Sequence, residues 1–386
     1  MENFQFCAST NILFGKNQIQ NLPDLIEAYG KRVLLVYGGG SIKRMGLYDT
    51  IQELLSDCDI YELGGISPNP KIESVREGVS LCQKHQIDVI LAVGGGSIID
   101  CGKIIAAATF YDGDAWEMIK TAVSVKAALP LITVVTLAAT GSEYDAGAVI
   151  SNSDTKEKLG YDSEWIRPKA SILDPTYTFT VPVSQTVAGT IDMMSHVLEQ
   201  YFVPKSSILA DMLCESVLKT IIQYAPVAAE EPENYEARAQ LMWVSSIADN
   251  GILSLGNQVA AFSCHGIEHE LSAWYDITHG VGLAILTPHW MRYILNENTV
   301  SRFAHYGIAV WGIDSYLDPF EIANRAIDAT ENFFKSLNVP MTLSSLNIEQ
   351  EHFDEMAERA VTNGMLDYAY VPLKKTDVKK ILEMCL

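Results

Sequence analysis

Residues 88–100 read DVILAVGGGSIID. Asp88–Val93 is a short, almost wholly apolar run, as expected of a strand buried on both faces. Three glycines follow, and a helix is predicted from Ile98 to about Phe110. Residues without Cβ let backbone N–H groups approach a ligand, and the helix start adds its partial positive charge. Working outward, the same Gly-Gly-Gly-Ser tetrad stands at 38–41, after RVLLVY (32–37) and before a helical pattern at Ser41–Ser56. Cys58–Leu63 and Leu131–Thr136 (LITVVT) read as strands and Lys71–His85 as a helix. Strands alternating with helices imply βαβ crossovers and a parallel sheet.

The pattern changes after Asp174-Pro175. From Ser184 the segments are long and of helical period: Ser184–Phe202, Ser206–Tyr224, Tyr235–Asn250, Asn257–Trp274, His279–Leu295, Pro319–Leu337 and two more. Prolines 182, 204, 226, 232, 288, 319 and 340 are expected mostly at helix ends or first turns. At 386 residues the chain exceeds one core. The expectation is an α/β domain over 1–180 and an all-helical domain over 181–386.

A net charge of −21 argues against nucleic acid and anionic membranes as partners. Cys7, Cys58, Cys82, Cys101, Cys214, Cys264 and Cys385 are scattered and odd in number, which fits reduced thiols. No basic segment leads into an apolar run at the N-terminus, and the longest apolar stretch is too short to span a bilayer. A cytoplasmic protein is expected.

The turn at Gly94-Gly95-Gly96-Ser97 suits a dinucleotide pyrophosphate, although it departs from G-x-G-x-x-G. The plainer reading is a tight turn, with Asp100 stabilising the first turn of the helix. At Gly38-Gly39-Gly40-Ser41 no acidic residue stands ready for a ribose 2′-OH, and Lys43 and Arg44 follow. Space with nearby positive charge favours a 2′-phosphate, hence NADP(H) over NAD(H); otherwise the pair is a solvated helix face. Thr136-Leu-Ala-Ala-Thr140-Gly-Ser-Glu143 offers hydroxyls to a cofactor, or a capping box from Thr140 and Glu143.

In the helical half, Asp192 and His196 are four apart, as are His265 and His269, and His279 follows ten residues later. On helices each pair shares a face. One carboxylate among imidazoles suits Zn²⁺ or Fe²⁺; a single core histidine would be read as structural. His265-Gly-Ile-Glu268-His269 also spells H-x-x-E-H, a metallopeptidase pattern with Glu268 as base. A nucleotide-binding or metal-storage protein is a third reading.

In order and spacing, YGGGS, Pro68-Asn69-Pro70, GGGSIID, TLAATGSE, Asp174-Pro175, D-x-x-x-H-x-x-E at 192–199 and H-x-x-x-H…THG at 265–280 resemble the iron-containing (group III) alcohol dehydrogenases, butanol dehydrogenase branch. The resemblance implies a Rossmann-like, dehydroquinate-synthase-like fold with an α/β and a helical domain. It implies a metal on Asp192, His196, His265 and His279, with His269 as proton relay. It implies cofactor contacts at Gly38, Gly39, Gly40, Ser41, Asn69, Gly94, Gly95, Gly96, Ser97, Thr136, Thr140, Gly147, Lys158 and Tyr177, to which Asp100 is added from its turn. NAD-preferring members tend to carry Asp at the position of Gly39, and many have Gly where this chain has Ala139. A homodimer acting on small alcohols and aldehydes is the implied state.

Overall fold

The apolar runs form the interior of a six-stranded sheet. The computed structural model describes all residues, 1–386. Strands β1 (Asn11–Phe14), β2 (Arg32–Tyr37), β3 (Asp59–Leu63), β4 (Val89–Gly94), β5 (Leu131–Val135) and β8 (Ala170–Leu173) pair in the order β1-β8-β5-β4-β2-β3. Every pairing is parallel. Successive residues of a strand point to opposite faces. Leu34, Val36, Ile90 and Ala92 therefore enter one core, while Val33, Leu35, Val89, Leu91 and Val93 enter the other. Each such fully buried Val, Leu or Ile side chain contributes roughly 1.5–3 kcal/mol. The flanking helices are α1 (Leu22–Glu27), α2 (Ser41–Arg44), α3 (Leu47–Leu54), α4 (Ile72–His85), α5 (Gly96–Ala108) and α6 (Ala115–Lys120).

The expected single helix over Ser41–Ser56 is two, α2 and α3, because Gly46 at φ +79° breaks the chain between them. A hairpin of β6 (Gly147–Asn152) and β7 (Glu157–Asp162) stands apart from the main sheet. Neither it nor the four-residue strands β1 and β8 showed in the sequence, where their apolar runs are too short.

The strand order places the topological switch between β2 and β4. From β2 the chain turns to one side to build β3, then crosses back to build β4 on the other side. Ligands of open parallel sheets bind outside the carboxyl ends at such a point. Both Gly-Gly-Gly-Ser tetrads stand there, one after each strand.

The remaining helices are α7 (Val183–Tyr201), α8 (Ile208–Glu230), α9 (Tyr235–Ala248), α10 (Ser263–Tyr275), α11 (His279–Ile294), α12 (Val300–Trp311), α13 (Pro319–Ser336), α14 (Phe353–Asn363) and α15 (Lys375–Met384). None is long and apolar enough to cross a membrane. Pro226 and Pro288 lie inside α8 and α11 rather than at their ends. Residues 257–262 precede α10 instead of belonging to it, and α12 was not foreseen. All seven cysteines are free thiols.

The chain divides into two compact units, but not at one cut. Cys7–Pro182 and Glu231–Asn250 form the first; Met1–Phe6, Val183–Glu230 and Gly251–Leu386 form the second. Helix α9, assigned from sequence to the helical domain, thus belongs with the sheet. Its Ser246 hydroxyl donates to Glu143 at 2.5 Å, and its Trp243 meets Phe14 edge-on at 6.1 Å.

Candidate functional site

Helix α7 is buried at every position from Thr186 to Tyr201. A carboxylate there has no water to turn to, so its neighbours decide its state. Asp192 is one turn from His196 on this helix, and α10 and α11 bring His265 and His279 to it. From Asp192 Oδ1 the Nε2 atoms of His265, His279 and His196 lie at 3.5, 3.6 and 3.9 Å. Ligand atoms of Asp192, His265 and His279 all fall within 4.8 Å of one another. His196 stacks on His265 with centroids 4.4 Å apart. The close approach of α11 depends on Gly280, since a Cβ there would lie 2.0 Å from the backbone oxygen of Ala188 on α7. This gives the His-Gly dipeptide a steric reason.

The residues fit a divalent cation. Asp192 Oδ1 and His265 Nε2 are buried and neither has a hydrogen-bond partner, a costly arrangement unless something sits between them. Donors about 2.1 Å from one tetrahedral metal would be about 3.4 Å apart, close to the spacings found. Burial opposes ionisation of Asp192, yet the surrounding imidazoles hold it well below the usual carboxylate range. Burial pushes His196 down to about 3, so it stays neutral, as a ligand must. His265 resists the same burial and is pushed up to about 10 by Glu199 and Asp192. A cation at the centre would take the place of that proton.

Two carboxylates hold the outer ring nitrogens. Glu199, one turn beyond His196 on α7, pairs with His265 Nδ1 and accepts the Cys264 N–H at 2.5 Å. Glu268 pairs with His279 Nδ1 and accepts the Ser272 hydroxyl at 2.5 Å. Such partners fix the tautomer that leaves Nε2 free to ligate. Glu199 closes the D-x-x-x-H-x-x-E motif at 192–199 but was given no role from sequence, although its i+3 and i+7 spacing from His196 and Asp192 was a usable signal. Glu268 was singled out for a different role. A peptidase base must reach water, whereas Glu268 is fully buried and engaged with His279, so the H-x-x-E-H reading is withdrawn. His269 is half-buried beside the cluster, its ring 5.6 Å from that of His279.

In the first unit, the expected cofactor residues gather past the carboxyl ends of the parallel strands. Gly38–Ser41 follow β2, Asn69 lies in the loop after β3, and Gly94–Ser97 run from the last residue of β4 into α5. Thr136 and Thr140 follow β5, and Tyr177 follows β8. Gly96 faces the β5 loop so closely that a Cβ would lie 2.4 Å from Thr140 Oγ1. Thr140 caps no helix; its hydroxyl accepts the Ser142 N–H at 3.1 Å, and Glu143 turns instead to Ser246. Burial pushes the Tyr177 phenol up to about 12. Gly147 and buried Lys158 sit on the β6–β7 hairpin.

Two expectations at these turns change. A Cβ at Gly39 would meet nothing within 4 Å, so the space is present. The charge of Lys43, however, is engaged by Glu62 at 3.8 Å and by the rings of Tyr37 and Tyr48. Asp100, expected at the cofactor, gives its oxygens to protein partners: Ser142 Oγ donates at 2.6 Å and the Val149 N–H at 2.9 Å.

The family model for iron-containing alcohol dehydrogenase matches residues 9–175, and that for the C-terminal region of the Fe-containing alcohol dehydrogenase family matches 186–386. The chain is 50% identical to NADH-dependent butanol dehydrogenase A of Clostridium acetobutylicum, over 99% of each chain. It is 38% identical to the NADPH-dependent aldehyde reductase YqhD of Escherichia coli, over 95% of this chain and 94% of that one. The crystal structure of NADH-dependent butanol dehydrogenase A from Thermotoga maritima superposes with a TM-score of 0.95 at 37% identity, covering 100% of this chain and 99% of the other.

Proposed function

The chain belongs to the iron-containing alcohol dehydrogenase family, and from that premise we propose that it interconverts short aldehydes and primary alcohols, butanal and butanol among them, using a nicotinamide dinucleotide. Membership makes it an oxidoreductase of alcohols and aldehydes. The observation that carries the finer reading is the buried triangle of Asp192, His265 and His279, whose two histidines are each backed by a carboxylate.

Asp192, His196, His265 and His279 would hold Fe²⁺ or Zn²⁺, both of which accept one carboxylate among imidazoles. When bound, the metal supplies Lewis acidity toward the substrate oxygen and the nicotinamide supplies the hydride. Asp192 contributes the single anion among the ligands and so leaves net positive charge at the centre. Glu199 and Glu268 keep the two imidazoles oriented. His269, beside His279 and half-exposed, takes and gives the proton that the alcohol oxygen exchanges with solvent.

For the dinucleotide, the preference for NADP(H) argued from sequence rests on Gly39 and Arg44, because Glu62 offsets Lys43. The 50% identical relative is named for NADH and the 38% identical one for NADPH. We read the turn as accepting both coenzymes. Gly39→Asp has room for its carboxylate, which would face a 2′-phosphate as a like charge. The ratio of kcat/KM for NADPH over NADH should fall on the order of 100-fold. An unchanged ratio would show that Gly39 does not border the ribose.

The test of the function is NADH and NADPH oxidation with aldehydes from acetaldehyde to hexanal, alongside elemental analysis of the purified protein. Metal-loaded protein that turns over none of these aldehydes would defeat the proposal.

A further inference from the structure

Helix α5 starts in the second glycine turn and carries Asp100 and Lys103 three residues apart, hence on one face. Asp100 accepts Ser142 Oγ, in the loop after β5, and the Val149 N–H on β6. Lys103, fully buried, donates to Asp145 at 2.6 Å and to the Gly147 carbonyl at 2.7 Å. Asp145 in turn accepts the Gly147 N–H at 2.7 Å. Two segments distant in sequence, the Thr136–Ser142 loop and the β6–β7 hairpin, are thus tied to the helix that begins in the Gly94–Ser97 turn.

We infer that Asp100 and Lys103 are positioning residues of the dinucleotide site, locking the glycine turn, the hydroxyl loop and the hairpin into one cradle without touching the dinucleotide. This rests on the proposed nicotinamide-dependent function. Each Asp100 oxygen already accepts one protein donor, Ser142 Oγ on Oδ1 and the Val149 N–H on Oδ2, so the carboxylate is engaged by the scaffold before any ligand arrives. Gly147 is held from both sides of its peptide, N–H by Asp145 and carbonyl by Lys103, a constraint the hairpin's own pairing does not supply. A binding loop held in place before the ligand arrives loses less entropy on binding, so the brace should register in dinucleotide affinity.

The test is a double-mutant cycle on Asp100→Asn and Ser142→Ala, with NADH affinity read by fluorescence titration, kcat at saturating NADH, metal content and melting temperature. Ser142→Ala removes only a hydroxyl and guards against failure of Asp100→Asn to fold. Each single variant should weaken NADH binding about tenfold, the scale of one lost charge-assisted hydrogen bond. The value of kcat should stay within about threefold and metal content should be unchanged, while the double variant should be little worse than either single one. Multiplying effects would place Asp100 on the dinucleotide itself and overturn the inference. Lowered melting temperature with unchanged NADH affinity would also overturn it, leaving only a structural role. If the wild-type protein binds neither NADH nor NADPH, the dinucleotide reading falls and the inference with it; wild-type binding with multiplying variants removes the inference alone.

Discussion

Asp192→Asn should yield folded protein that retains almost no metal and reduces aldehydes about a thousandfold more slowly than the wild type, because it loses the anion that attracts the cation and leaves only a weaker, neutral amide oxygen in its place. The fold should survive. Asn is nearly isosteric, and Asp192 Oδ1 has no hydrogen-bond partner to lose. Glu199→Gln supplies the graded control. Its partner, His265 Nδ1, keeps a neighbour but loses the negative charge, so metal affinity should fall only 10- to 100-fold, the usual effect of an outer-shell change. Metal content and activity must drop together in both variants. Asp192→Asn with wild-type turnover and no metal would end the metal-centre hypothesis, and equal effects of the two variants would end the division into ligand and support.

How much of this site the sequence showed can be traced residue by residue. Asp192 and His196 were legible because both lie on one helix, where four residues make one turn. That His265 and His279 join them was an inference from the His-Gly dipeptide and the family resemblance. The contact itself depends on Gly280 clearing the α7 backbone, which no local pattern displays. Glu268 illustrates the limit most clearly. Its spacing inside H-x-x-E-H is that of a catalytic base, and only its burial and its pairing with His279 reassign it.

In the first unit, β2, β4 and β5 were legible because strands covered on both faces are written as unbroken apolar runs. The β6–β7 hairpin and β8 carry no such run, and the placement of α9 hangs on Ser246 meeting Glu143 across 103 residues of sequence. Asp100 was noticed for its turn but belongs to partners 42 and 49 residues away. Short-range periodicity records local structure well. Long-range polar pairing leaves no periodic trace, so the supporting carboxylates were the part that went unread.

The second large effect is expected at one of those long-range pairs. Lys103 is completely buried and Asp145 nearly so, their charges 2.6 Å apart. A buried pair adds little net stability, but removing one partner strands the other charge. Lys103→Met should therefore destabilise the protein by roughly 3–5 kcal/mol in urea unfolding of metal-stripped protein. Adding Asp145→Asn should recover most of that loss, since Asn still accepts the Gly147 N–H without a charge. The pH dependence follows from Asp100, which burial pushes from 3.8 up to about 6 while Lys103 pulls it the other way. A carboxyl whose folded pKa exceeds its unfolded one binds more protons when folded, so its contribution to stability is lost as pH rises through that interval. Without Lys103 the interval widens upward, and the penalty of Lys103→Met should be smaller at pH 5 than at pH 7. A variant as stable as the wild type at both pH values would mean that Asp145 is relieved by groups other than Lys103. A penalty independent of pH would mean that the lost packing of the lysine stem, and not its charge, dominates.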